Sequence, residues 1–167
     1  MLPLNEGFAA AASRDARVLV LGSLPGLRSI AAGEYYAHPR NAFWLIVEEL
    51  FAIPRSAPYH VRIEKLNGAG IGLWDVLHAS RRQGSLDAKI DAASAVANDL
   101  QGFLNDHPRI ELLAFNGKVA AQLFDRHVSA GLLATQLRRI TLPSTSPAHA
   151  AMTVDEKLRH WRQIKIS

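Results

Sequence analysis

Two short loops and one aromatic segment hold the residue types that can do chemistry in this chain. The run Val18-Leu19-Val20-Leu21 empties into Gly22-Ser23-Leu24-Pro25-Gly26, and Leu137 to Leu142 empties into Pro143-Ser144-Thr145-Ser146-Pro147-Ala148-His149-Ala150. Between them lie Tyr35-Tyr36-Ala37-His38-Pro39-Arg40-Asn41-Ala42-Phe43-Trp44 and Asn116-Gly117-Lys118. Gly22 and Gly26 around Pro25 carry so little side-chain bulk that backbone N–H groups can approach a ligand. Tyr35 and Tyr36 offer faces for stacking on a flat ring. The Asn116 amide presents a donor beside an acceptor, which matches a ring edge with a carbonyl next to an N–H. Ser144, Thr145 and Ser146, stiffened by Pro147, suit contacts to phosphate or sugar.

Each feature also has an ordinary structural account. Gly22–Gly26 makes a plain strand-to-helix turn, tyrosines pack in cores and at rims, and Asn41 caps a helix. Asn116 before glycine ends a strand, and Ser144–Pro147 makes a solvated turn. Their order and spacing together say more than any one of them.

Common alternatives lack their parts. A nucleophile elbow needs serine at the third place of Gly-x-Ser-x-Gly, whereas Ser23 is second and Leu24 third. No glycine-rich loop ends in Gly-Lys-Ser/Thr, and Gly22-x-x-x-Gly26 lacks the third glycine of a dinucleotide fingerprint. The seven histidines do not fall at metal-ligand spacings, and the chain has no cysteine. Neither a metal nor an organic cofactor is expected.

The elements that must position these residues alternate. Arg17–Leu21, Ile71–Leu77, Ile110–Phe115 and Leu137–Leu142 read as buried parallel strands, being aliphatic and bounded by Gly, Pro or Asn. Helical periodicity marks Asn41–Phe51, Ala92–Leu104, Gly117–Asp125 and Val154–Ile164, the last opened by Thr153 and Glu156 as a capping box. Right-handed crossovers then give a three-layer α/β/α fold on a central, four-stranded, mostly parallel sheet. In such sheets, loops at the carboxyl ends of strands converge on one crevice.

The 167 residues, 49% hydrophobic and 20% charged, suit a single globular domain spanning 1–167. Glu6, Arg14 and Asp15 interrupt any signal-peptide pattern, and no apolar run is long enough for a membrane span. A soluble protein of a reducing cytoplasm is expected, nucleoid-associated if the source is a prokaryote. The net charge of +4 and a pI near 9.8 favour a polyanionic partner.

From Arg17 to about Arg162 the chain resembles the uracil-DNA glycosylase superfamily. Gly22–Gly26 stands where that superfamily has its first motif, and Ser144–His149 where it has its second. Tyr36-Ala37-His38-Pro39, Asn41 and Phe43-Trp44 are similar to the mismatch-specific uracil/thymine enzymes. The fullest likeness is to the hypoxanthine (deoxyinosine) branch, with its Gly-Ser-x-Pro-Gly, Tyr-Tyr-Ala-His-Pro-Arg-Asn and Ser-Thr-Ser-Pro-Ala segments. Leu24 stands where most of the superfamily has the Asp or Asn that positions water, and Ser144 where a His often steadies the leaving base.

The resemblance implies a monofunctional DNA N-glycosylase that needs no cofactor. Asn41 then holds the water, and Ser144 and His149 stabilise the departing base. Ser23, Leu24, Gly26, Tyr36 and Asn116 bind the base; Gly26, in place of a bulky tyrosine, leaves room for a purine. Arg40, Lys118 and Ser146 contact phosphates, while Pro147 and Ala148 wedge into the vacated stack. The implied partner is DNA carrying a deaminated base, hypoxanthine first, with no obligatory protein partner. Uracil or mismatched thymine as substrate, or catalytically silent binding of damaged DNA or nucleosides, are the alternatives.

Overall fold

Valine and leucine alternate along Val18-Leu19-Val20-Leu21 and all four are fully buried, as only a strand covered on both faces allows. The computed structural model describes residues 1–128 and 137–167. Its strands are β1 (Leu4–Glu6), β2 (Val18–Gly22), β3 (Ile71–Asp75), β4 (Leu77–Arg81), β5 (Val96–Ala97), β6 (Leu112–Asn116) and β7 (Arg138–Leu142). Its α-helices are α1 (Leu27–Ala32), α2 (Phe43–Phe51), α3 (Tyr59–Gly68), α4 (Leu100–Asp106), α5 (Lys118–His127) and α6 (Val154–Trp161). Among the described residues, no helix is long and apolar enough to cross a membrane.

The central sheet is parallel with order β3-β2-β6-β7, as the strand–helix alternation predicts. Val18 and Val20 point to one face, where Phe43, Ile46 and Val47 of α2, Leu66 of α3 and Trp161 of α6 cover them. Leu19 and Leu21 point to the other, against Leu100 of α4 and Ala120, Leu123 and Phe124 of α5. Burying one side chain of this size contributes about 2–3 kcal/mol. Because the four strands run the same way, Gly22, Asp75, Asn116 and Leu142 all end at one edge. Asp75 lies in register with Gly22, and Leu142 with Asn116. The chain diverges in opposite directions from β2, so a crevice opens between the exits of β2 and β6.

Two expected elements are different. Ile71–Leu77 is not one strand: the chain turns a corner at Val76, whose N–H donates to Gly22 O while Leu77 N–H donates to Ser23 O. It then enters a second, antiparallel sheet of order β1-β4-β5 that no strong periodicity announced. Ala92–Leu104 is not one helix. A 3₁₀ turn at Ala92–Ser94 leads into β5, which pairs with β4, and α4 starts only after Asp99 caps it by accepting from Gly102 N–H. Strand pairing along β4 and the Asp99 cap overrode the apolar spacing. The Thr153/Glu156 capping box of α6 is present with both bonds, and a 3₁₀ turn extends that helix through Ile164.

Candidate active site

Gly22 closes β2 beside a carboxyl group. A Cβ there would lie 2.5 Å from Asp75 Oδ1 and 3.4 Å from Tyr36 Oη, so only glycine lets these three residues converge. Asp75 is 4% exposed, and its Oδ2 has no hydrogen-bond partner. Tyr36 Oη is likewise sealed and unpartnered. Burial, then the charge of Asp87, pushes the Asp75 carboxyl up to about 8, against a smaller opposing pull from Arg82. Burial and the neighbouring Asp75 raise the Tyr36 phenol, which stays protonated.

A buried cation holds the loop after β2. Arg82, 1% exposed, donates from Nε to Gly84 O, from Nη1 to Leu24 O at 3.2 Å, and from Nη2 to Pro25 O. Its Nη1 is 3.7 Å from Asp87, whose Oδ1 accepts the Ser23 hydroxyl proton at 2.6 Å. The loop carbonyls are thus turned onto one guanidinium, whose planar fork suits several acceptors at once.

This arrangement sets the surroundings of two loop residues expected to bind the base. The Leu24 side chain is 5% exposed and belongs to the apolar cluster around Leu19, Leu21 and Leu77, so only its backbone is left for contact with a base. Gly26 neighbours Ser85: a Cβ there would meet it at 3.4 Å, an ordinary contact, and Ser85 Oγ accepts from Leu27 N–H.

Tyr36 sits at φ 57°, a left-handed conformation uncommon for a side chain of this size, and such strain often marks functional sites. One face of its half-buried ring packs on Phe43, with centroids 4.2 Å apart. His38 Nδ1 accepts from Arg40 N–H, and His38 O accepts from Asn41 N–H, shaping the turn into α2. The N-cap of α2 is Ala42, yet Asn41 Oδ1 accepts from Phe43 N–H at 2.9 Å, so its amide caps from one residue earlier. The half-buried Asn41 retains both Nδ2 protons and the second lone pair of Oδ1.

Asn116 is largely committed to its neighbours. Its Nδ2 donates to Thr145 Oγ1 and its Oδ1 accepts from Thr145 N–H, both at 2.9 Å, bracing the β6 exit against the loop after β7. Ala42 N–H donates to Thr145 O, which joins Asn41's segment to the same brace. One Nδ2 proton and one Oδ1 lone pair remain, with Tyr36 adjacent. Gly117, at φ 96°, brings Ser144 within 3.1 Å of where its Cβ would be.

Within the loop after β7, Ser144 Oγ accepts from Ser146 N–H and Ser146 Oγ accepts from Ala148 N–H. Both hydroxyl protons can therefore be donated to a ligand. From behind, Trp161 Nε1 donates to Pro143 O, and Lys157 Nζ donates to His149 O. Burial lowers the Lys157 ammonium from its ordinary value. His149 and Pro147 are half-buried, while Ala148, Arg40 and Lys118 are exposed. Lys118 opens α5, where the helix N-terminus already favours an anion.

Contacts thus tie Gly22, Tyr36, Asn116 and Ser144 into one edge, with Asn41 linked through Ala42. Asp75, Arg82, Asp87 and the bracing role of Thr145 were not read from sequence. Asp75 carried one signal, its place at the end of an aliphatic strand; Arg82 and Asp87 carried none, lying in a polar stretch without periodicity.

The family model for the uracil DNA glycosylase superfamily matches residues 10–165. A hypoxanthine DNA glycosylase of Methanosarcina acetivorans is 35% identical over 120 residues, 71% of this chain and 75% of that protein. One of Methanosarcina barkeri is 36% identical over 119 residues, 71% and 74% respectively. The solution NMR structure of a candidate uracil DNA glycosylase from M. acetivorans superposes with a TM-score of 0.80 at 30% identity, covering 98% of this chain and all of that one.

Proposed function

Because the chain belongs to the uracil DNA glycosylase superfamily, it is a DNA glycosylase, a hydrolase of N-glycosyl bonds, and we propose that the base it excises is hypoxanthine. The relatives of that name support the substrate. The observation that carries the chemistry is the turning of Leu24 into the core while the Asn41 amide stands half-buried at the crevice rim. That is the arrangement expected where an amide, not a motif-one carboxylate, holds the water.

Cleaving C1′–N passes through an oxocarbenium-like sugar. The nucleotide must leave the stack, at a cost of a few kcal/mol that falls when the base is mispaired. The free face of Tyr36 receives the flipped ring. The remaining donor and acceptor of Asn116 meet its carbonyl/N–H edge. Asn41 orients the water, which attacks late because an amide is no strong base. Backbone N–H groups near Ser23, with Ser144 or His149, steady the charge on the departing base, each donor contributing about 3 kcal/mol. Arg40, Lys118 and Ser146 take phosphates, and Pro147 and Ala148 fill the gap in the stack.

The deciding experiment is a panel of duplexes carrying deoxyinosine, deoxyuridine or mismatched thymine, assayed for abasic product without added metal. Release of hypoxanthine is expected. Release of uracil alone would refute the purine assignment. No release from any duplex would leave a silent binder.

Binding should also carry a backbone signature. The logarithm of affinity is expected to fall linearly with the logarithm of salt, by a slope of about 0.9 for each phosphate neutralised. Arg40→Ala and Lys118→Ala should each lower that slope by about one unit without altering base preference. Unchanged slopes would remove these residues from the DNA contact.

A further inference from the structure

Asp75 ends β3 at the crevice edge with a carboxyl that its described surroundings leave partly unserved. Its Oδ2 is buried without a partner. Arg82 instead donates to Leu24, Pro25 and Gly84 carbonyls, and the Asn98 amide donates to the backbone oxygen of Asp75. Buried polar groups are normally satisfied, so an orphan costs stability and is retained where a ligand or reaction uses it. Gly22 has no side chain at the point where one would collide with this carboxyl, and Tyr36 brings its hydroxyl to the same place. Carboxyl and hydroxyl thus meet at the β2 exit, beside the Tyr36 ring proposed to stack on the flipped base.

Resting on the hypoxanthine reading, we infer that Asp75 is a further catalytic residue, the general acid that protonates the departing purine at a ring nitrogen or carbonyl oxygen. As C1′–N9 breaks, its electron pair stays with the base, and the proton from Asp75 lets the base leave neutral. Water then adds to C1′ of the oxocarbenium sugar, and the proton it sheds restores Asp75. A purine leaves poorly as an anion, and an acid positioned against it typically contributes a hundredfold or more, about 10²–10⁴. A carboxyl already held protonated near neutral pH has its proton in place before the substrate arrives.

The ionisable groups facing Asp75 come from two segments: Arg82 and Asp87 after β4, and Tyr35 and Tyr36 before α2. Asp87 opposes ionisation of Asp75, Arg82 favours it, and both phenols stay neutral because burial raises them. The acid form is required, so activity must fall as pH climbs through about 8. A carboxylate that merely accepted a purine N–H would give the opposite slope.

Stability moves by the same linkage. The folded carboxyl titrates near 8 and the unfolded one near its ordinary 3.8. The unfolded state therefore sheds the proton first, and the parent loses stability progressively across that window as pH rises. Asp75→Asn removes this loss and keeps a hydrogen-bonding side chain of the same shape. The variant is expected to melt above the parent at pH 8 and close to it at pH 4.

The test is single-turnover cleavage of deoxyinosine duplex by the parent and Asp75→Asn from pH 6 to 9.5, with melting curves alongside. The parent is expected to show a plateau that drops about tenfold per pH unit above 8. The variant should be about a hundredfold slower on the plateau and flat with pH. A folded variant that matches the parent rate or keeps its alkaline limb overturns the inference, as does a parent rate that rises with pH. If the variant does not fold, the direction of the parent's own limb decides. A parent that releases no hypoxanthine brings down the substrate reading and this inference together, whereas an active parent with an indifferent Asp75 brings down the inference alone.

Discussion

Asn41→Ala should slow single-turnover cleavage of deoxyinosine duplex about a thousandfold while leaving DNA affinity within a few fold. The amide stands at the turn into α2, joined through Ala42 N–H and Thr145 O to the brace at the β6 exit. It is held in place because Oδ1 accepts from Phe43 N–H, which leaves its Nδ2 protons and second lone pair for the proposed water, while the Leu24 side chain is buried in the core. Removing a group that acts on the water lowers kcat and kcat/KM together, whereas removing a binding contact raises KM alone. The alanine variant also loses a cap, which costs about 1 kcal/mol, so its melting curve must be matched to its rate. Asn41→Asp separates the roles, since it retains the acceptor toward Phe43 N–H and adds a base. A folded alanine variant that cleaves at the parent rate would make Asn41 a cap alone and move the search to His38 and His149.

How much of this was legible in the sequence follows from which forces leave a periodic trace. Burial on both faces writes itself as Val18-Leu19-Val20-Leu21 and Leu112-Leu113-Ala114-Phe115, so the parallel sheet and its crevice were readable. Tyr36, Asn41, Asn116 and Ser144 were readable as candidates because loops at strand ends have few reasons to carry such residues together. The antiparallel sheet was not, since β1 and β5 are short and half-exposed and draw their order from pairing with β4. The burial of the Leu24 side chain and the contact of Gly26 with Ser85 were not legible for a related reason. A loop residue's direction depends on what grips the backbone, and here the grip comes from Arg82, 58 residues beyond Leu24. The bracing of Asn116 by Thr145 was not legible, because the contact spans 29 residues and no local pattern signals it.

Arg82→Ala is accordingly expected to be among the most damaging substitutions in the protein, lowering unfolding free energy by about 3–5 kcal/mol. The guanidinium is inaccessible to water, so its loss leaves the Leu24, Pro25 and Gly84 carbonyls unserved and the Asp87 carboxylate without its cation. Urea unfolding reads this as a lower midpoint at unchanged slope. Arg82→Lys should recover only part of it, because a single ammonium retains the charge but does not span three carbonyls. Asp87→Asn in the Arg82→Met background should be milder than the sum of the two changes, since the second removes the unpaired charge that the first creates. Activity should fall in step, because Ser23 is anchored to Asp87 and the loop it belongs to leaves β2 at the edge where the proposed site lies. A shift below about 1 kcal/mol for Arg82→Ala, the range of an exposed ion pair, would mean that the loop holds its shape without the guanidinium.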